Sequence, residues 1–258
     1  MTRRIVVTGA GSGIGAAVTA LLRAEGDRVI GVDLRGADVV ADLSTPAGRT
    51  EAAEAAARTA GGVVDAVVAC AGTAVPGEAM VTVNYFGVTE FVTALRPALA
   101  ASPAPRAVVI GSISGTQPAD PAVVAACLAG DEQRALVHAR AALADGREAE
   151  LYPSSKSALA QWARRTAVTE AWAGAGIPLN VVAPGVVRTP MSARFFDDPV
   201  MRQTMDAAVP MPLNGYMEPE VIARAVAFLA SVENSHITGQ VLYTDGGAEA
   251  TLRGPSVF

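Results

Sequence analysis

Short runs rich in valine and isoleucine recur along the chain, and between them lie longer stretches in which alanine and other apolar residues return every three or four positions. Continuous apolar runs suit strands buried on both faces of a parallel sheet, whereas returns at the helical period mark helices with one buried face. The first pattern predicts strands over residues 4–8, 28–33, 38–41, 65–69, 107–111, 179–183 and 240–244. The second predicts helices over 15–25, 49–60, 84–101, 154–173 and 218–231. Alternation in this order implies an α/β fold, a single doubly wound domain over 1–258 with a seven-stranded parallel sheet. Two segments break the alternation. Residues 118–150 are alanine-rich, carry Asp131, Glu132, Arg134 and Arg140, and predict one or two helices inserted after a strand. Residues 189–219 read as a loop and hold five of the seven methionines, which suits a substrate lid.

Charge narrows the partners. With 20 Lys+Arg against 25 Asp+Glu, and 17% of residues charged, neither a basic face for nucleic acid nor a disordered tail is expected. An apolar share of 51% is enough for one core in a chain of 258 residues. The apolar start Ile5-Val6-Val7 is broken at once by Thr8-Gly9, so no secretion signal is expected, and no run approaches a membrane span. Cys70 and Cys127 have no motif spacing, as in a reduced cytoplasmic protein, and no residue cluster has metal-ligand spacing. His138 and His236 fit neither a triad nor a ligand pattern.

After the first strand comes Thr8-Gly9-Ala10-Gly11-Ser12-Gly13-Ile14-Gly15, opening into a helix. Glycines let the backbone turn tightly against a pyrophosphate, whose charge meets the free N–H groups of a helix N-terminus. The pattern resembles the phosphate-binding turn of a Rossmann-type domain. Asp33, at the end of the second predicted strand, is placed to bind the ribose 2′-hydroxyl of NAD and to repel the 2′-phosphate of NADP, although Arg35 could accommodate that phosphate.

Tyr152 and Lys156 are four apart, on one face of a predicted helix, so an ammonium can stabilise a tyrosinate and draw the phenol into acid/base range. Ser112 follows the buried run Val108-Val109-Ile110-Gly111, where a hydroxyl can hydrogen-bond a substrate carbonyl; Ser114 is its rival. The glycine pattern Thr8, Gly9, Gly13 and Gly15 is followed in order by Asp42-Leu43, Ala71-Gly72, Asn84, Ser112 with Gly115, Tyr152-x-x-x-Lys156, Pro184-Gly185 and Asp245-Gly246-Gly247. On these residues the whole chain resembles the short-chain dehydrogenase/reductase family. Asp33-Leu34-Arg35, the stretch 41–45, the stretch 83–87 and the Pro-x-x-Phe ending at 255–258 resemble its subgroup of bacterial 3α-hydroxysteroid dehydrogenases/carbonyl reductases.

The resemblance implies a catalytic set of Asn84, Ser112, Tyr152 and Lys156, with Ser112 preferred because the family serine stands three residues before a glycine. It implies that Gly9, Ser12, Gly13, Ile14 and Gly15 hold the pyrophosphate, Asp42 and Leu43 the adenine, and Ala71 and Gly72 the adenosine ribose. Lys156 and Tyr152 would hold the nicotinamide ribose, Val187 the nicotinamide, and Thr189 its carboxamide or the pyrophosphate. The reaction implied is reversible hydride transfer between NAD(H) and a secondary alcohol or ketone, with an apolar steroid-like or aromatic substrate. A coniferyl-alcohol-type or terpenoid alcohol dehydrogenase, or a non-catalytic NAD(H)-sensing regulator, are the other readings.

Two departures stand out. Gly111 replaces a serine, and Ala69-Cys70-Ala71-Gly72 replaces Asn-Asn-Ala-Gly, which removes amides expected to bridge strands. The 40 positions between Ser112 and Tyr152 imply an insertion of about 27 residues relative to the family. The insertion is expected to block the helix face used by family tetramers and to leave a homodimer through the last strand and helix.

Overall fold

The computed structural model describes residues 2–257, Arg194 by its backbone alone. Met1 and Phe258, and with Phe258 the end of the Pro-x-x-Phe motif, lie outside the described residues. In chain order the elements are β1 (Arg4–Thr8), α1 (Gly13–Ala24), β2 (Arg28–Asp33), β3 (Val39–Val40), α2 (Pro46–Thr59), β4 (Ala66–Ala69), α3 (Ala79–Val81), α4 (Gly87–Ala100) and β5 (Arg106–Ile110). There follow α5 (Pro121–Leu128), α6 (Glu132–Ala144), α7 (Leu151–Ala167), β6 (Leu179–Pro184), α8 (Ala193–Asp197), α9 (Pro199–Ala208), α10 (Pro219–Ala230), β7 (Val241–Thr244) and α11 (Ala248–Arg253).

The seven strands form one sheet in the order β3-β2-β1-β4-β5-β6-β7. Every pair is parallel, from Val6 opposite Ile30 to Val182 opposite Leu242. Alternate side chains leave a strand on opposite faces, which is why β1 feeds two cores. Val6 joins Val67, Val109, Ala53, Phe91 and Leu159 under α2, α4 and α7. Ile5 and Val7 join Val68, Val108, Val18 and Val226 under α1 and α10. The order reverses at β1, which is flanked by β2 and β4, so a crevice opens above the C-terminal ends of these strands.

The insertion forms two helices. Asp120 accepts from Ala122 N at 2.9 Å and Pro121 follows it, so α5 starts with a cap and a preset φ. Val123, Ala126, Ala135 and Ala139 are buried in the same core as α7, making the insertion part of the body of the domain.

Three boundaries depart from the sequence pattern. The helix predicted over 154–173 starts earlier, at Leu151, and stops at Ala167. There Thr169 becomes extended and a π-helical turn, Glu170–Gly174, buries Trp172. The helix expected from Asn84 begins instead with a π-helical turn, Thr82–Phe86. Finally, the segment 189–219 is not simply a loop: α8 and α9 lie in it, and α9 is started by Asp198, which accepts from Val200 N at 2.8 Å, and by Pro199.

Candidate active site

The cleft above the sheet begins at the turn after β1. Gly9 and Gly13 adopt positive φ, at +66° and +52°, which a side chain would strain. A Cβ at Gly15 would fall 2.0 Å from Gly9 O, and one at Gly13 would fall 3.3 Å from Thr189 Cγ2. The bare backbone therefore makes a cradle that any side chain would fill, and α1 points its N-terminus into it, with Ser12 as the residue before the helix. Ile14 lines the cradle. Asp33 is fixed at its lip: Oδ2 accepts from Gly11 N at 2.9 Å and Oδ1 from Leu34 N at 2.7 Å. Arg35 stands at the same mouth. Asp42 accepts from Ser44 N at 2.8 Å, and hydrogen bonds to Ser44 hold its carboxyl below the ordinary range. Leu43 is buried beside it.

The missing amides at residues 69 and 70 are replaced by a threonine. Thr8 Oγ1 accepts from Ala71 N at 3.1 Å and Thr8 O from Cys70 N at 3.3 Å, so the ends of β1 and β4 stay joined without asparagine. Gly111 has an equally local cause: a Cβ there would meet Val181 Cγ1 at 2.6 Å, on the neighbouring β6.

The π-helical turn puts Asn84 in full burial. Its Oδ1 accepts from Thr73 N at 2.8 Å, while its Nδ2 donates to Thr73 O at 2.9 Å and to Ser155 Oγ at 3.3 Å. A Cβ at Gly72 would stand 3.2 Å from Asn84 Oδ1 and 3.9 Å from Lys156 Nζ, so a side chain there would press on the Asn84 amide. π-turns cluster at functional sites because they re-aim one side chain inside a helix.

Ser112, two residues beyond β5, caps a short 3₁₀ turn, Ile113–Thr116, by accepting from Ser114 N at 3.1 Å. Gly115 lies where a Cβ would press on the Lys156 backbone at 3.2 Å, which sets the turn against α7. Tyr152 and Lys156 share the face of α7 turned toward it. Burial raises the Tyr152 hydroxyl above the ordinary phenol value, and a hydrogen bond with Ser112 pulls it back. Lys156 Nζ donates to Ile110 O at 2.8 Å and lies 5.7 Å from the Tyr152 ring centroid. Burial draws the Lys156 ammonium down to about 8. The expected lowering of the phenol by Lys156 is thus not what this geometry produces; desolvation dominates at the hydroxyl, and Ser112 is the group that opposes it.

Thr189 is held by Ser192, whose Oγ accepts from Thr189 N at 3.0 Å, and Val187 pairs with Met217 in an isolated parallel bridge. All of Gly9, Asp33, Leu43, Gly72, Ser112, Tyr152, Lys156, Val187 and Thr189 line one cleft of about 1220 Å³. Asn84 stands behind its wall. The seven methionines and phenylalanines expected over the substrate divide: Met191, Phe195, Met201 and Met205 line the cleft. Phe196, Met211 and Met217 pack inside the domain instead. Sequence reasoning missed Ser155, Thr8 and Ser192 as supports; the first two sit inside the motifs that were read, and Ser192 follows Thr189 by three positions. Among the described residues no group of three His, Cys, Asp or Glu could hold a metal ion, and no helix is long and apolar enough to cross a membrane.

Comparison with known proteins agrees with this geometry. Residues 3–126 match the family model for short chain dehydrogenases, and residues 134–249 match that for enoyl-(acyl carrier protein) reductase. The chain is 39% identical to 3-alpha-hydroxysteroid dehydrogenase/carbonyl reductase of Comamonas testosteroni over 98% of this chain and 99% of that one. It is 33% identical to galactitol 2-dehydrogenase (L-tagatose-forming) of Cereibacter sphaeroides, over 93% of this chain and 92% of the other. In structure it matches the 3-alpha-hydroxysteroid dehydrogenase of Pseudomonas sp. B-0831, solved with NADH, at a TM-score of 0.90 and 42% identity, covering 99% of this chain and 100% of that chain. The chain belongs to the short-chain dehydrogenase/reductase family.

Proposed function

We propose that this chain is an NAD(H)-dependent oxidoreductase that interconverts a secondary alcohol and a ketone on an apolar, steroid-like or aromatic substrate. The observation that carries the reading is the continuity of the cleft: the glycine cradle and Asp33 open into the space beside Ser112 and Tyr152, and that space ends in an apolar wall of Met191, Phe195, Met201 and Met205. The cradle fits a dinucleotide because backbone N–H groups, glycines and a helix N-terminus meet where a pyrophosphate needs them. Asp33, fixed by Gly11 and Leu34, supports NAD over NADP. Bound NAD(H) supplies the hydride donor or acceptor.

In ketone reduction Tyr152 gives its hydroxyl proton to the carbonyl oxygen, and Ser112 hydrogen-bonds the same oxygen as charge develops on it. A phenol held neutral by burial is suited to donate. Lys156 lies behind Tyr152 on the side of Gly72, with Asn84 beside it, where the ammonium can return the proton. Alcohol oxidation reverses each role. The steroid-like substrate class rests on the apolar wall and on the near full-length likeness to hydroxysteroid dehydrogenases.

The assembly we propose is a homodimer through the β7 edge. Among the described residues no strand pairs with the outer side of β7, where Leu242 is 41% exposed, and Phe228 of α10 and Leu252 of α11 are exposed as well. The inserted α5 occupies the face of α7. Unpaired Cys70 and Cys127 support a cytoplasmic setting.

The test is to follow NADH absorbance with steroid, aromatic and aliphatic alcohols and ketones, for the wild type, Tyr152→Phe and Ser112→Ala. Turnover of an apolar alcohol with NAD, reduced by about a hundredfold or more in each variant, is expected. Equal turnover by Tyr152→Phe, or activity with NADP alone, overturns the reading.

A further inference from the structure

Arg49, in the first turn of α2, has a side chain only 1% exposed and takes no part in the chemistry above. Burying a guanidinium is costly unless its N–H groups all find acceptors. Here Nε donates to Leu43 O at 2.9 Å, and Nη2 donates to Ser44 O at 2.8 Å and to Thr82 O at 3.1 Å. The Glu132 carboxylate accepts from both Nη1 and Nη2, at 2.8 and 2.6 Å, and Glu90 accepts from Nη1 at 3.1 Å. One cation therefore joins three parts of the chain: the Asp42–Ser44 turn at the adenosine end of the cleft, the π-helical turn that carries Asn84, and the first residue of the inserted α6.

A second observation shows how closely the first two parts are pressed together. A Cβ at Gly87 would fall 3.0 Å from Leu43 O and 3.2 Å from Thr82 O, two of the three carbonyls that Arg49 holds. Ser44 links the cation to the cleft, because its N–H orients Asp42 while its carbonyl is held by Arg49. A lysine could not replace this arrangement, since a point charge does not span carbonyls on two loops as a planar fork does.

We propose that Arg49 is a positioning residue for the adenosine half of the cofactor and that Glu132 holds it in place, so that dinucleotide affinity depends on the inserted helix. The proposal rests on the cofactor reading above. Its mode of action is fixed geometry: Arg49 sets the Leu43 and Ser44 carbonyls, and these set the Asp42 carboxylate and the Leu43 side chain that face the cleft.

The test uses the full chain with Arg49→Met, Arg49→Lys and Glu132→Gln. NADH affinity is titrated by fluorescence, with ADP-ribose and nicotinamide mononucleotide as competitors for the two halves of the cofactor. Weaker binding of NADH and ADP-ribose by about tenfold in Glu132→Gln, and by at least as much in Arg49→Lys, is expected. Binding of nicotinamide mononucleotide, and kcat at saturating NADH, should stay within about twofold. Glu132→Gln keeps the shape of the site and carries the test if Arg49→Met does not fold. Unchanged ADP-ribose binding, or equal losses for both half-cofactors, overturns the proposal. If the wild type itself fails to bind NADH, the cofactor reading falls and takes this one with it; if the wild type binds and the variants bind as well, only the role of Arg49 falls.

Discussion

Tyr152 and Lys156 stand four residues apart, and burial drives both toward their neutral forms, the phenol upward and the ammonium down to about 8. For the lysine this has a measurable consequence in the cofactor-free protein. Unfolded, it titrates near its ordinary 10.5; folded, near 8; between the two the unfolded chain binds more protons. Stability contributed by this group therefore rises with pH through that window. The difference in melting temperature between the wild type and Lys156→Met should shift in favour of the wild type from pH 8 to 10.5. A flat or falling difference would show that the amine is not desolvated. The same scale exposes the limit of spacing arguments. A four-residue interval correctly puts the two side chains on one face, but the balance of desolvation against charge is set by Ile110 O, Cys70 and Ser112, which come from other elements.

At the scale of elements, the segment carrying α8 and α9 is the least anchored part of the site. No residue of α9 is buried. Among the contacts that fasten the segment, the Arg188 guanidinium lies 4.6 Å from the Phe196 ring centroid and 5.4 Å from that of Tyr216, and Tyr216 hydrogen-bonds Asp206. Such regions open at low free energy. Limited proteolysis of the native chain should therefore cut first within residues 189–208, and NADH with substrate should protect it; a first cut elsewhere would remove the lid assignment. The strands and the long helices were legible because their burial imposes a period on the sequence. The cap-and-proline starts at Thr45-Pro46, Asp120-Pro121 and Asp198-Pro199 carry a local signal that the apolar period does not contain, which is why the helix expected from residue 49 starts at Pro46 and why the loop reading overlooked α9. The π-helical turn at Asn84 was hidden for a physical reason: its shape depends on Thr73 and Ser155, partners that no local pattern announces. Arg49 was hidden likewise, since a lone arginine on an alanine-rich helix reads as a solvated face until the packing is known.

For the whole molecule, an unpaired edge at β7 with Leu242 exposed makes pairing of two copies the economical way to cover it. Light scattering at micromolar protein should give a dimer, and Leu242→Asp should give a monomer that keeps its helical content; a tetramer in the wild type would contradict the arrangement. The other face of the same sheet has a different history. Ile5, Val7, Val68 and Val108 are roofed by α1 and by Ile222 and Val226 of α10, so this core joins the earliest part of the chain to one of the latest. While the protein is being synthesised, strands β1, β4 and β5 can assemble long before α10 exists. The sheet must then wait with half its roof missing and its oily side turned outward. A nascent chain of this design exposes an aggregation-prone surface until α10 has left the ribosome, and a truncation before Pro219 should aggregate even though it would retain every residue of the catalytic set.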